Sequence, residues 1–494
     1  MKLLSAQQIQ QWDAFTMQKE PIESIDLMER AAMRCVDWII TSNYILQHIK
    51  IFCGKGNNGG DGLAIARLLI EKGFSVFVYI LEFGAKGTND FQTNLQRLHF
   101  LTTHIYFIQS EDHFPFIDKT DLIIDALYGS GLNRPLNNLS ALLVAHINQS
   151  SGNVISIDVP SGMSIDKSSN GNIIAKANTT LTFQQYKLCF LLAENEQYFG
   201  ELIVMNIQLH SEYLQSITTS FELIESDKII SLLKNRNPFS HKGHYGHACI
   251  IAGNVGKMGA AIMACGGALR SGCGLLSANI PKEFLHALHT TYPEAMVLLR
   301  EDGMIDIDKY SSIAIGPGLG INEVTEQILE EVLNSFQKPI VIDADALTIL
   351  SFHKEWLTKI PKGSLLTPHP KEFDRLFGKC ENDFERIEKA IELTKKYNCI
   401  VIVKGHHTLI ASNGQGYFNN TGNAGLAKGG SGDVLSGILV SLLAQQYQPE
   451  AAALLGVYIH GLAADIALEN QSMESLLATD VIGAIGKAFN YLRE

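Results

Sequence analysis

Short apolar runs rich in branched residues alternate with longer stretches of helical spacing along most of this chain. IKIFC (49–53), SVFVYIL (75–81), HIYFI (104–108), DLIIDAL (121–127) and NVISIDV (153–159) read as buried strands, being short, almost wholly apolar and rich in branched residues. Between them, GLAIARLLIEKG and NNLSALLVAHINQS repeat apolar residues at three- and four-residue intervals, as an amphipathic helix does. Continuous apolar strands separated by helices predict a parallel sheet covered on both faces. Two more helices are predicted ahead of it, in SAQQIQQWDAFTM and SIDLMERAAMRCVDWI. The alternation fades across residues 207–240, where polar and charged residues mix. It resumes at HACIIAG (247–253), SSIAIGPG (311–318), PIVIDAD (339–345), GSLLTPHP (363–370) and NCIVIVKG (398–405). The expectation is an α/β chain of two domains, residues 1–214 and 215–494. A length of 494 residues also asks for more than one core.

Composition narrows the function classes. With 39 Lys+Arg against 51 Asp+Glu, the net charge of -12 argues against nonspecific binding of nucleic acid or of an anionic membrane. The eight cysteines are scattered, with no CxxC pair, so a reduced, cytoplasmic compartment is expected. No apolar run reaches the roughly 18 residues that span a bilayer, and the N-terminus turns polar too early for a signal peptide. The chain reads as soluble and intracellular, acting on small molecules. A homo-oligomer is expected, of an order the sequence leaves open.

Residues 53–62, CGKGNNGGDG, stand where the first apolar run turns into a helix. A P-loop is excluded, because no Lys-Ser or Lys-Thr closes the turn. Gly54, Gly56 and Gly59 satisfy GxGxxG in the right context, with Glu82 ending the next run as a ribose-binding acid. A plain tight turn, with Asp61 as a helix-start carboxylate, is the other reading. Neither explains NNGGD, whose two amides and carboxylate suit a polyhydroxylated ligand or a hard cation. Asp125 in IIDALYGSGLNRP and Asp158 with Ser161 in SIDVPSG end two later strands. Strand ends of an open α/β sheet converge on one crevice. There Asn58, Asp125 and Ser161 would offer oxygen ligands to a hard cation, and Arg134 would hold a phosphate bidentately.

The motifs GKGNNGGDG, DALYGSGLNR and IDVPSG, in this order, resemble the NAD(P)H-hydrate epimerase domain, also called the YjeF N-terminal domain. The resemblance covers most of residues 1–210 and implies a Rossmann-like three-layer sandwich. It implies that Asn57, Asn58, Gly59, Gly60 and Asp61, then Gly129, Ser130, Gly131, Leu132, Asn133, Arg134 and Pro135, and Asp158, bind the hydrated dinucleotide. Asn58, Asp125 and Ser161 would hold a potassium ion. Asp158 is the candidate for proton transfer during inversion at the hydrated ring carbon.

In the second half, GNAGLAKGGSGDVLSGILVSLLAQ (422–445) places Gly429, Gly430 and Gly432 ahead of a long apolar helix. Backbone N–H groups there would face an anion, with Asp433 beside it to take a proton from an alcohol. A glycine turn with an Asp cap is the plainer alternative. VIVKGHHTLI sets Lys404 and Thr408 at a strand end, suited to phosphate or ribose, and LLTPHPKEF holds His369 between two prolines. Gly318 in AIGPGLG lets backbone approach a ligand, and Ala260 leaves room for a bulky ring. Asp343 and Asp345 of IDADAL suit contacts to a magnesium ion or its waters.

SHKGHYGH, GPGLG, DADAL, LTPHPKEF, VKGHHT and GGSGD are together similar to the ribokinase-like superfamily, and within it to ADP/ATP-dependent NAD(P)H-hydrate dehydratase, over about residues 225–494. That likeness implies a ribokinase-like three-layer sandwich in which Ala260, Gly318, His369 and Asp433 contact the hydrate. Lys404, Gly405, His406, His407, Thr408 and Gly432 would contact the nucleotide, with Mg²⁺ as cofactor and ADP (or ATP) as phosphoryl donor. One departure stands out: Lys428 occupies a position ahead of GGSGD where the family often has Thr, and a lysine there could neutralise a phosphate. The two halves together imply repair of hydrated NADH and NADPH by epimerisation and dehydration. The rival reading is a small-molecule kinase, for a hydroxymethylpyrimidine, thiazole or sugar alcohol, carrying a noncatalytic N-terminal binding module.

Overall fold

In the computed structural model, which describes residues 1–84, 86–303 and 306–494, every run read as a strand in the first half joins one parallel sheet. Its strands are β1 (His48–Cys53), β2 (Val76–Leu81), β3 (Ile105–Ile108), β4 (Asp121–Ala126), β5 (Asn153–Ile157), β6 (Thr179–Phe183) and β7 (Glu201–Met205). They lie in the order β3-β2-β1-β4-β5-β6-β7, all neighbours parallel. The predicted N-terminal helices are present as α1 (Ala6–Lys19) and α2 (Ser24–Thr41), followed by α3 (Asn57–Glu71), α4 (Asn89–His99) and α5 (Asn138–Gln149).

The central strands are rich in branched apolar residues because both faces of the sheet are covered. One face packs Leu63, Ile65 and Leu69 of α3 and Val36 and Ile39 of α2 against Ile49, Ile51 and Val78. On the other, Leu143, Val144 and Ile147 of α5 meet Phe52, Ile123 and Val154. Strands β6 and β7 escaped the apolar-run reading: β6 is TTLTF, and its buried Thr179, Thr180 and Thr182 interrupt the apolar signal without costing burial.

The glycines after β1 serve packing. A Cβ on Gly59 would stand 1.8 Å from the Gly54 carbonyl oxygen, and one on Gly54 would stand 2.0 Å from that of Leu127. The first turn of α3 therefore rests directly on the ends of β1 and β4, which only glycine permits. The helix begins at Asn57, and Asp61, its fifth residue, is buried. This corrects the reading of Asp61 as a helix-start carboxylate.

Within residues 220–494 the second sheet comprises β8 (Phe221–Leu223), β9 (His247–Ile251), β10 (Leu275–Ile280), β11 (Met296–Leu299), β12 (Ser312–Ile315), β13 (Ile340–Ile342), β14 (Leu365–Leu366), β15 (Ile400–Val403), β16 (Leu409–Ser412) and β17 (Gln415–Phe418). These run in the order β8-β17-β16-β15-β14-β13-β12-β9-β10-β11. The pairs are parallel from β11 to β15, and β16 is antiparallel to both of its neighbours. Its helices are α6 (Met258–Arg270), α7 (Glu323–Ser335), α8 (Ala344–Phe352), α9 (Pro370–Phe377), α10 (Asp383–Tyr397), α11 (Ser431–Ala444), α12 (Pro449–Ala467) and α13 (Ala478–Tyr491). Helices α6, α11, α12 and α13 share one large apolar core with the sheet. The stretch Pro449–Asn470 is long and apolar enough to cross a membrane, which the sequence reading did not register. It is 72% buried within the fold, as a core helix is.

Residues 2–219 with 382–384 form one compact unit, and residues 220–381 and 385–494 with Met1 form the other.

Candidate functional site

In the N-terminal unit the carboxyl ends of β1, β4 and β5 open onto a cleft of about 460 Å³. Its lining includes Asn57, Asn58 and Asp61, the loop Gly129–Arg134, and Asp158. Gly129 lies between two of these groups: a Cβ there would be 3.0 Å from Asn58 Oδ1 and 3.2 Å from Asp158 Oδ2. Gly59 and Gly60 lie in the packed first turn of α3, where a Cβ on Gly60 would meet the Met28 sulfur at 2.8 Å. Arg134 lines the cleft with an exposed side chain, and Pro135 is exposed beside it. Glu82 forms an ion pair with Lys55, so its carboxylate already has a cationic partner.

Asp158 carries the clearest sign of a built site. Its backbone sits at φ 65, a left-handed conformation costly for a side-chain-bearing residue. Its Oδ1 accepts from Lys187 Nζ at 2.7 Å and its Oδ2 from the Ser130 N–H at 3.0 Å. Burial pushes this carboxyl up, but the Lys187 charge and the hydrogen bonds outweigh it and hold it below the usual range. Lys187 is buried and also donates to Thr182 Oγ1 at 2.5 Å and the Phe183 carbonyl at 3.0 Å.

Asp125 is fully buried. It accepts from Ser161 Oγ at 2.5 Å, Ser161 N–H at 2.9 Å, Ser156 Oγ at 2.8 Å and Leu127 N–H at 3.3 Å. Asn58 is also buried, yet among the described residues both polar atoms of its amide lack a hydrogen-bond partner. A buried amide in this state points to a missing partner. An amide oxygen such as that of Asn58, a hydroxyl such as that of Ser161 and a carboxylate such as that of Asp125 are hard oxygen donors, of the chemical kind a potassium ion takes.

Two residues of this cleft escaped the sequence reading. Lys187 is the single cation of YKLCFLL, and a lone lysine in so apolar a stretch was a usable signal. Asp13 sits on the face of α1 that carries Ile9 and Trp12, all three lining the cleft. Burial, then the Asp158 charge, push its carboxyl up to about 7 against the opposing pull of Lys187. Asp61 is likewise raised, by burial first and then by Asp158, Asp13 and Asp90.

In the C-terminal unit, Asp433 lies in the first turn of α11, whose N-cap Gly430 has φ 97. Gly432 stands next to Lys404: a Cβ there would be 3.5 Å from Lys404 Nζ and 3.9 Å from Asp343 Oδ2. Lys404 Nζ donates to Asp343 Oδ1 at 2.8 Å, and Ser436 Oγ donates to Asp343 Oδ2 at 2.7 Å. Burial raises Asp433 to about 7, helped by Asp343 and Asp345 and opposed by Lys404. Asp345 accepts from Lys257 Nζ at 3.1 Å and from the Gly320 N–H at 2.8 Å. Gly318, at φ 56, lies against Ala260: its Cβ would meet that of Ala260 at 2.9 Å. The glycine-turn, DADAL, VKG and GPGLG segments therefore form one linked arrangement.

His369 is the N-cap of α9. Its Nδ1 accepts from the Lys371 and Glu372 N–H groups at 3.1 and 3.3 Å, leaving Nε2 3.5 Å from Glu372 Oε1. Thr408 closes the Lys404–Thr408 turn through Gly405, with hydrogen bonds of 3.3 and 3.0 Å. His407 bonds to the Asn419 carbonyl at 3.1 Å and packs against the ring of His406. Lys428 donates to the carbonyls of Glu474 and Leu476. Its ammonium therefore pins the loop before α13.

Comparison with known proteins matches residues 24–189 to the model of the YjeF-related protein N-terminus and residues 248–487 to that of NAD(P)H-hydrate dehydratase. A bifunctional NAD(P)H-hydrate repair enzyme of Moorella thermoacetica is 33% identical over 100% of this chain and 98% of its own length. One from Coxiella burnetii is 35% identical over 93% and 94%. Among solved structures, a ribokinase-like superfamily protein from Enterococcus faecalis is 28% identical, with a TM-score of 0.51, over 56% of this chain and 98% of that one. By these full-length matches, the chain belongs to the family of bifunctional NAD(P)H-hydrate repair enzymes.

Proposed function

We propose that this chain restores hydrated NADH and NADPH. Residues 1–214 would interconvert the R and S hydrates, and residues 215–494 would dehydrate the S form with a nucleotide, ADP or else ATP, as phosphoryl donor. The observation that carries the second activity is the convergence of Asp433, Lys404 and Asp343 at the glycine turn that opens α11. Asp433 takes the proton of the ring hydroxyl, and the nucleotide's terminal phosphoryl passes to that oxygen. Gly432 N–H and the Lys404 ammonium stabilise the phosphoryl charge. The ring-nitrogen lone pair then expels phosphate, and loss of a proton from the adjacent carbon yields dihydronicotinamide. With ADP, the remaining products are AMP and phosphate. Ala260, Gly318 and His369 would shape the hydrate pocket, and residues 404–408 the nucleotide side.

In the N-terminal cleft, Asn57, Asn58, Asp61, the Gly129–Arg134 loop and Asp158 would bind the hydrate, and Asn58, Asp125 and Ser161 would hold potassium. That ion, when bound, would offset the carboxylates facing the ligand. In the other unit, Asp343 and Asp345 already have lysine partners, a setting that fits a magnesium ion held mainly by phosphates and water. A cytoplasmic setting fits the eight free cysteine thiols.

Ion dependence tests the assignment of the two sites. Chelating magnesium should slow dehydration by about 100-fold or more while R–S interconversion continues. Replacing potassium with tetramethylammonium should slow interconversion and leave dehydration of the S hydrate intact. If one treatment stopped both reactions equally, two separate sites would be contradicted. The pH dependence follows from Asp433, which must be ionised to act as base. Its raised carboxyl keeps the proton to about pH 7, so dehydration should climb as pH rises through that value and level off above it. A rate that falls across the same interval would exclude Asp433 as the base.

A further inference from the structure

We propose that Asp13 is a second proton-transfer residue of the epimerase cleft, acting beside Asp158 and Lys187. The inference rests on the reading of this cleft as the epimerisation site.

Asp158 has little freedom: Lys187 occupies Oδ1 at 2.7 Å and the Ser130 N–H occupies Oδ2 at 3.0 Å. A carboxylate pinned on both oxygens and beside an ammonium is a weak proton donor. Asp13 is the reverse case. It is half-buried in the cleft wall, and among the described residues it makes no hydrogen bond or ion pair. A half-buried carboxyl without a protein partner, in a ligand cleft, is free to meet a ligand.

Helix α1 is firmly seated, so this placement is built in. Ser5 and Gln8 form a capping box at its start, and the Trp12 indole N–H donates to the His210 carbonyl at 2.9 Å. The His210 N–H donates to Thr16 Oγ1 at 3.0 Å. Gln10 reaches the substrate loop: a Cβ on Gly131 would be 3.9 Å from its Nε2.

A carbon that bears both hydroxyl and ring nitrogen inverts when the hydroxyl leaves one face and returns on the other, the route these two carboxyl groups serve. Asp13 gives its proton to the departing hydroxyl, which leaves as water while the ring-nitrogen lone pair forms the carbon–nitrogen double bond. A water then adds to the opposite face, its electron pair forming the new carbon–oxygen bond. Its proton passes to Asp158, which Lys187 holds ionised. Asp158 releases that proton to solvent and Asp13 takes one back, so both groups return to their starting states and the reaction is redox-neutral.

The test uses the full-length chain, with R-hydrate interconversion followed separately from dehydration of purified S hydrate. Asp13→Asn should lower kcat for interconversion by at least about 100-fold, with KM for the hydrate within about threefold and S-hydrate dehydration unchanged. Asp13→Glu should recover part of the lost kcat. Interconversion by Asp13→Asn within threefold of wild type would overturn the proposal, as would a defect confined to KM. If Asp13→Asn failed to fold, Asp13→Glu and Asp13→Ser decide: loss of kcat in serine with retention in glutamate supports it, and equal activity of the two overturns it. Should the wild-type chain not accelerate interconversion over the uncatalysed rate, the failure would lie in the epimerase reading itself.

Discussion

Asp433→Asn is expected to lower recovery of dihydronicotinamide from both hydrate epimers by about 1000-fold or more. The substitution keeps the size of the side chain in the first turn of α11 and removes only its ability to take a proton, a contribution of roughly 10²–10⁴ in rate. Gly432, Lys404 and Asp343 stay in place, so nucleotide affinity measured by calorimetry should stay within about threefold. Both epimers are affected because the R form reaches product only through the S form. Interconversion of the epimers continues in the variant, since that site lies on other residues. Retention of a tenth of wild-type dehydration would place the base elsewhere.

Lys187→Met is expected to destabilise the N-terminal unit by about 3–5 kcal/mol at neutral pH and to stop epimerisation. The loss is large because the pair is buried, with side-chain exposures of 1% for Lys187 and 10% for Asp158. Removing one partner leaves a desolvated charge. The pH dependence has a definite sign. In the wild type Asp158 is held below its ordinary range, so its contribution to stability is present above the unfolded value and fades as pH falls. In Lys187→Met the unpaired carboxylate is relieved by protonation, so the difference between variant and wild type should narrow with acid. Urea midpoints across pH measure this; a difference that widens with acid would contradict the account of the pair.

The fold was legible where burial is two-sided. Runs such as DLIIDAL place apolar residues between and after two buried aspartates because β4 lies inside the sheet, and each such run became a strand. Strands whose burial is satisfied by hydrogen bonds were hidden: β10 contains Ser277 and Asn279, which bond to His247 Nε2 at 2.9 Å and to Arg300 Nε at 3.3 Å. The candidate sites were readable where glycine motifs end strands, because close backbone approach leaves a fixed signature in composition. Lys187 and Asp13 belong to no such motif. They reach the cleft through tertiary packing, from the loop after β6 and from a helix that precedes the sheet. Lys428 shows the converse: its place in a motif suggested a phosphate contact, while its side chain reaches two carbonyls farther along the chain.

The central claim is that one chain both interconverts the hydrates and dehydrates one of them. A preparation containing both epimers, supplied with ADP or ATP, magnesium and potassium, measures it through the amplitude of recovered dihydronicotinamide absorbance. The wild-type chain should bring the whole preparation to product. Asp158→Asn should recover the S share at the wild-type rate and then slow to the uncatalysed rate of R conversion. Full recovery at the wild-type rate by Asp158→Asn, or no recovery by the wild type with either nucleotide, would contradict the account.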